Sequence, residues 1–192
     1  MRRFAVLTCA ALLAAGAAWA NTSASYEAGT VRDKLDLAHP VLNYNFFTVS
    51  QPLSYGFSWV AAVQNARPAH GGLPNWFLEG YLGYRYSYSP TLSVYGYVGG
   101  GERLSRAGNF PVFAFRAGID KKMSTKLTWN AADLRWRASL DNKFHYYSPV
   151  LGTGLTYQAA DDLSLYTRLF ASFDSDYRFL GTSVGVGVKT TF

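Results

Sequence analysis

The last thirteen residues, Leu180 to Phe192, read LGTSVGVGVKTTF, and their alternation constrains the fold more than any other stretch. Val184, Val186, Val188, Thr190 and Phe192 share one face, while Gly185, Gly187, Lys189 and Thr191 share the other. This is the two-residue period of a strand. A flat apolar strand at a sheet edge invites pairing with other chains. Its valine face needs an apolar cover, and its backbone edge needs a partner. A hydrocarbon layer supplies the first and a closed sheet the second, because lipid admits only structures whose backbone groups are satisfied internally.

The opposite end carries an export pattern. Arg2 and Arg3 precede an apolar run from Phe4 to Ala17, and Ala18-Trp19-Ala20 has the small-x-small form of a cleavage site. Residues 1–20 are therefore read as a secretory signal peptide, and 21–192 as the mature domain. The run is too short for a retained membrane helix. Cys9 lies too early, and follows Thr8, for a lipoprotein site; it leaves with the leader, so a disulfide framework, a thiolate metal site and a cysteine nucleophile are excluded.

No later apolar run reaches the roughly 20 residues of a membrane helix. Yet 49% of the chain is hydrophobic and 17% aromatic, with 14 Tyr and 13 Phe. Such a composition suits strands with one face toward lipid and aromatic girdles at their ends. Removing Arg2 and Arg3 from 18 basic residues leaves 16 against 12 acidic ones, a mature charge of about +4. That charge is too mild and too scattered for nucleic-acid binding.

The ending resembles the carboxy-terminal signal strand of bacterial outer-membrane β-barrels, in which alternating apolar residues lead to a terminal Phe. The resemblance implies that Val184, Val186, Val188 and Phe192 are read by the barrel-assembly machinery, and that the domain is an integral outer-membrane protein of a Gram-negative cell. Lipid and lipopolysaccharide are then its surroundings, and a monomer its expected state.

Four stretches share one grammar, an aromatic strand end, a polar or proline turn, and a new alternating strand. They centre on Ser50-Gln51-Pro52, Ser87-Tyr88-Ser89-Pro90, Lys121 to Thr125 and Ala159 to Asp162, with Leu53, Leu92, Leu127 and Leu163 opening the strands that follow. Their spacing is that of two strands plus one longer loop, so each reads as a tight periplasmic turn. The outer loops fall around Arg67 to Pro74, Glu102 to Asn109, Arg137 to Lys143 and Asp174 to Tyr177, with Gly99 onward also read as loop. Eight strands run from Leu53 onward. Tyr26 to Arg32 and Val41 to Val49 add two more if residues 21–50 form a first hairpin rather than a periplasmic or lumen-filling lead. The fold class is thus all-β, a closed antiparallel up-and-down transmembrane barrel, with ten strands favoured over eight. In the strand from Leu127 the alternation breaks near Ala131-Ala132-Asp133, which a bulge or early emergence from the membrane explains.

No catalytic, cofactor-binding or metal set emerges. Outer-membrane lipid A deacylases, which are similar small barrels, carry His and Ser two residues apart on one strand face. Here His145 and Ser148 are three apart and so on opposite faces, with Pro149 following, and His145 reads as a rim residue. Asp161 and Asp162 suit a turn, where Asp bonds its own backbone. His39 and His70 are isolated in loops. Asp133, Asp141, Asp174 and Asp176 lack the His that would make a protease-like surface site. Gly99-Gly100-Gly101 is not followed by the lysine-serine pair of a phosphate loop.

The inward charges say more. Under the alternation, Glu79, Arg85, Arg116, Arg168 and Lys189 point into the lumen, four bases against one acid. In a narrow barrel such charges pair into an interior network. The leading expectation is a non-enzymatic barrel with a structural or surface-interaction role through its loops. The alternative is a narrow channel with a weak preference for anions. A lipid A-modifying enzyme comes third and is disfavoured by the His–Ser spacing.

Overall fold

The computed structural model describes residues 21–33, 40–106, 108–174 and 176–192. The leader reading at 1–20, Cys9 and His39 lie outside these residues. Ten strands follow in order: β1 (Ser23–Asp33), β2 (Pro40–Pro52), β3 (Phe57–Pro68), β4 (Asn75–Ser87), β5 (Leu92–Leu104), β6 (Phe110–Lys122), β7 (Leu127–Ser139), β8 (Val150–Gln158), β9 (Leu163–Phe173) and β10 (Phe179–Thr191). Each pairs antiparallel with its neighbours in sequence, and β1 closes on β10, so the wall is an up-and-down barrel with no free edge. The C-terminal valine strand finds its partner in β1, with Tyr26 opposite Val188 and Ala28 opposite Val186. The first hairpin's strands, Ser23–Asp33 and Pro40–Pro52, form wall, and among the described residues the count is ten.

Asn21, Phe192 and the four short turns lie at one end, the turn end. There the Asn21 amide donates to the Phe192 carbonyl, and the Phe192 amide donates to the Thr22 carbonyl, both at 2.9 Å. Side-chain oxygens close the turns: Ser89 Oγ accepts from the Leu92 amide at 3.0 Å, and Ser124 Oγ from the Leu127 amide at 3.1 Å. The longer connections among the described residues lie at the other end, the loop end.

The wall is inside out relative to a water-soluble protein. Leu82, Val98, Leu151, Leu165, Leu169 and Val186 face outward, each at least 50% exposed. Charges and tyrosines face inward. That arrangement fits strands crossing a hydrocarbon layer.

Several boundaries differ from the sequence reading. β3 begins at Phe57, not Leu53; Leu53 leads into a single 3-10 turn, Ser54–Gly56, with Tyr55 at φ 60° and Gly56 at φ 82°. Arg67 belongs to β3, Glu102 and Arg103 to β5, and Arg137 to β7, rather than to loops. Gly99-Gly100-Gly101 lies within β5, opposite Tyr81, Gly80 and Glu79. The common cause is that backbone ladders continue past the apolar belt, whereas a hydrophobic pattern ends with it. β8 starts at Val150. The irregularity in β7 is a bulge: Asn130 and Asp133 face Gly154 and Gly152, and Ala131 is left without a cross-strand partner.

Candidate functional site

Alternation sends one side chain in two toward the barrel axis, so each strand contributes its charge at a level set by the register. At the centre is Asp133, fully buried on β7. Arg116 of β6 grips it through Nε to Oδ1 at 2.9 Å and Nη2 to Oδ2 at 2.5 Å. Arg135 approaches the same Oδ2 at 3.4 Å, and Arg168 of β9 lies 3.6 Å from it. Arg168 also lies 3.7 Å from Glu27 of β1, itself fully buried, and Glu27 accepts the Tyr44 hydroxyl at 2.7 Å. A second pair lies nearer the loop end, where Arg137 binds Glu79 at 2.6 and 2.7 Å. Two-pronged guanidinium–carboxylate contacts fix geometry as well as charge. The third group is near the turn end: Arg85 meets Asp120 at 2.7 Å, and Asp120 also accepts from Asn130 at 2.7 Å.

These contacts correct the reading of the lumen as four bases against one acid. Glu27, Asp120 and Asp133 join Glu79, and Arg135 and Arg137 join the bases. Asp133 is not a surface acid with Asp141, Asp174 and Asp176. It was misplaced because the bulge breaks the period just before it.

The two halves of the lumen differ. Toward the loop end it is filled: Tyr44, Phe46, Phe77, Phe110, Val112, Ala114 and Phe170 are all buried there. Arg135 lies over the Phe170 ring at 4.4 Å, and Arg137 over Phe77 at 4.5 Å. The β7–β8 connection adds a lid. Phe144 stacks on Phe110 at 4.6 Å, Tyr146 packs on Phe110 at 5.6 Å, and Arg103 lies 4.8 Å from the Tyr146 ring. Cationic groups over aromatic faces are held by the ring quadrupole. The sequence reading assigned no role to Tyr146, whose neighbour Tyr147 faces out and stacks on Trp136.

Toward the turn end the lumen opens into a cavity of about 300 Å³. Arg85, Arg116, Arg168 and Lys189 line it, with Arg135 and Arg137 beside them. Glu79 sits behind Arg137 rather than at the cavity wall. Hydroxyls complete the wall, including a Ser25–Thr48 pair at 2.6 Å and a Ser23–Ser50 pair at 2.8 Å. Among the described residues Lys189 has no ion pair within 4 Å.

The remaining candidates lie apart. His145 is exposed in the β7–β8 connection, and the Ser148 amide there donates to the Arg137 carbonyl at 2.9 Å. Asp161 and Asp162 are exposed in the β8–β9 turn, and His70 is exposed between β3 and β4. Asp141 and Asp174 accept backbone amides of their own loops. No cluster of three metal-ligating side chains exists among the described residues.

No family model and no curated protein sequence matches the chain. Among solved structures, the NanC porin superposes with a TM-score of 0.54 at 8% identity, covering 88% of this chain and 100% of that one. The KdgM porin gives 0.50 at 13% identity, over 88% and 99%. Identities this low make the likeness one of fold: the chain has the closed antiparallel barrel of outer-membrane porins.

Proposed function

We propose that the chain is a closed, non-conducting integral barrel of the Gram-negative outer membrane, with a structural and surface-interaction role through its loop end and no catalytic activity. The observation that carries this reading is the double closure of the loop-end lumen. The Glu79–Arg137 pair and the Asp133 cluster cross the interior, and Phe144 and Tyr146 cover them. Moving an ion through that half means separating bidentate pairs in a low dielectric, which costs several kcal/mol. The outward leucines and valines supply the lipid contact, the outer leaflet's lipopolysaccharide is the expected neighbour of the loop-end rim, and the barrel acts as a monomer. β10, ending at Phe192, is the segment offered to the assembly machinery.

Single-channel recording on the refolded protein tests closure. A silent bilayer is the expected result, and steady wild-type openings would overturn it. The second reading, a narrow channel, draws on the turn-end cavity and its basic lining. It requires the loop-end network to part spontaneously, and an anion-shifted reversal potential in wild type would favour it. Unchanged lipid A in expressing cells, read by mass spectrometry, is the result expected of a non-enzyme.

A further inference from the structure

We propose that the turn-end cavity is a binding pocket for a small, doubly charged oxyanion, entered from the periplasmic side. The argument starts from charge. The cavity's six basic side chains, Arg85, Arg116, Arg135, Arg137, Arg168 and Lys189, face four acids, Glu27, Glu79, Asp120 and Asp133. Six against four leaves an excess of two positive charges around the cavity, with Lys189 and Arg85 exposed and the other four bases half-buried. Like charge gathered in a narrow, low-dielectric cleft concentrates counter-ions, and a dianion neutralises the excess in one step.

The distribution of the pairs says where the anion sits. Arg137 is spent on Glu79 and Arg116 on Asp133, both bidentate. Arg168 reaches its two acids only at 3.6 and 3.7 Å, outside hydrogen-bonding distance. Lys189 reaches none within ion-pair distance among the described residues. Arg168 at the floor and Lys189 near the mouth therefore hold spare donors, as does Arg135, whose Nε has no hydrogen-bond partner. Thr156 and the one free hydroxyl hydrogen of the Ser25–Thr48 pair donate to oxyanion oxygens. A cavity of about 300 Å³ admits a pyrophosphate or a short dicarboxylate and excludes a polymer. The filled loop-end half makes the pocket blind, so this inference rests in that respect on the closed-barrel reading. It is distinct from a channel because the ligand enters and leaves by the same mouth.

Calorimetric titration of the refolded protein in non-ionic detergent at low salt provides the test, with pyrophosphate, succinate, sodium chloride and glycerol as probes. Pyrophosphate or succinate should bind with Kd of about 1 mM or tighter. Binding should weaken as ionic strength rises. Lys189→Met and, independently, Thr156→Glu should each weaken it at least about tenfold, so a folding failure in one variant leaves the other decisive. Pyrophosphate alone binding marks phosphoryl ligands, and equal binding marks the shared oxyanion chemistry. Absence of binding in wild type, equal binding of glycerol, or affinity unchanged in the folded variants would overturn the pocket. Conductance recorded on the same preparation separates the two ideas: openings with binding intact remove the closure and leave the pocket, and silence without binding does the reverse.

Discussion

Arg137 of β7 holds Glu79 of β4 across the lumen through two parallel N–H···O bonds of 2.6 and 2.7 Å, from positions 58 residues apart in sequence. Neither strand neighbours the other in the wall. The pair therefore acts as a strut between two parts of the wall that β5 and β6 separate, and its Glu79 side chain has no solvent exposure.

Arg137→Met should leave that carboxylate buried and uncompensated, a loss of about 3–5 kcal/mol. Urea titration of the refolded protein, followed by the gel-mobility shift between folded and unfolded forms, should show the lowered midpoint. Adding Glu79→Gln should recover a good part of it. A single variant as stable as wild type would refute the strut.

Asp133 is the shared counter-charge of Arg116, Arg135 and Arg168. Asp133→Asn leaves three guanidiniums repelling one another beside the turn-end cavity. Bilayer recordings should then show openings with an anion-shifted reversal potential where wild type is silent, at a rate at least about tenfold above background. Silence in the folded variant would mean that the aromatic lid closes the lumen by itself.

Tyr146 packs on Phe110 and lies under the Arg103 guanidinium. Tyr146→Ala removes both contacts and should loosen the β7–β8 connection, which carries the exposed Lys143. Tryptic cleavage after Lys143 in proteoliposomes should accelerate about tenfold, as expected when local opening becomes easier by a ring contact or two.

Gly185 sits where the Tyr44 hydroxyl and the Glu27 carboxylate cross β10, and any Cβ there meets both. Gly185→Val should destabilise the barrel by about 1–3 kcal/mol or prevent refolding. Gly96→Ala, whose Cβ meets nothing within 4 Å, should stay within about 0.5 kcal/mol of wild type. The folded fraction on heat-modifiability gels compares the two.

Much of the wall is legible because one face of each strand meets lipid, so the period that defines β4, β6, β9 and β10 also sets the face of every residue on them. Arg168 follows from Leu165 and Leu169, and Lys189 from Val186 and Val188. Legibility ends where the apolar belt ends or the period breaks. Arg137 lies past the belt, in a ladder kept by backbone hydrogen bonds that no hydrophobic pattern reports. Asp133 and Arg135 follow the bulge. Glu27 sits in a strand whose outward face carries Tyr26 but otherwise only Ala24, Ala28 and Thr30, too weakly apolar to separate wall from lead. The lid is less legible still, because stacking of Phe144 on Phe110 depends on a connection folding back into the mouth, which no alternation encodes. A weak cue was present in the adjacent Tyr146 and Tyr147, since neighbouring aromatics at a strand entrance point to opposite faces.

The bulge in β7 also bears on how this wall tolerates change in length. In a regular stretch of spanning strand, losing one residue would reverse the facing of everything beyond it, exposing guanidiniums to lipid and leucines to water. At Ala131 the count already runs one over, with Asn130 and Asp133 both inward across three positions instead of two. Deleting Ala131 leaves each of those side chains, and Leu134 beyond them, on the face it now occupies. β7 thus carries a spare residue in mid-wall, and there the loss of one codon is expected to be survivable.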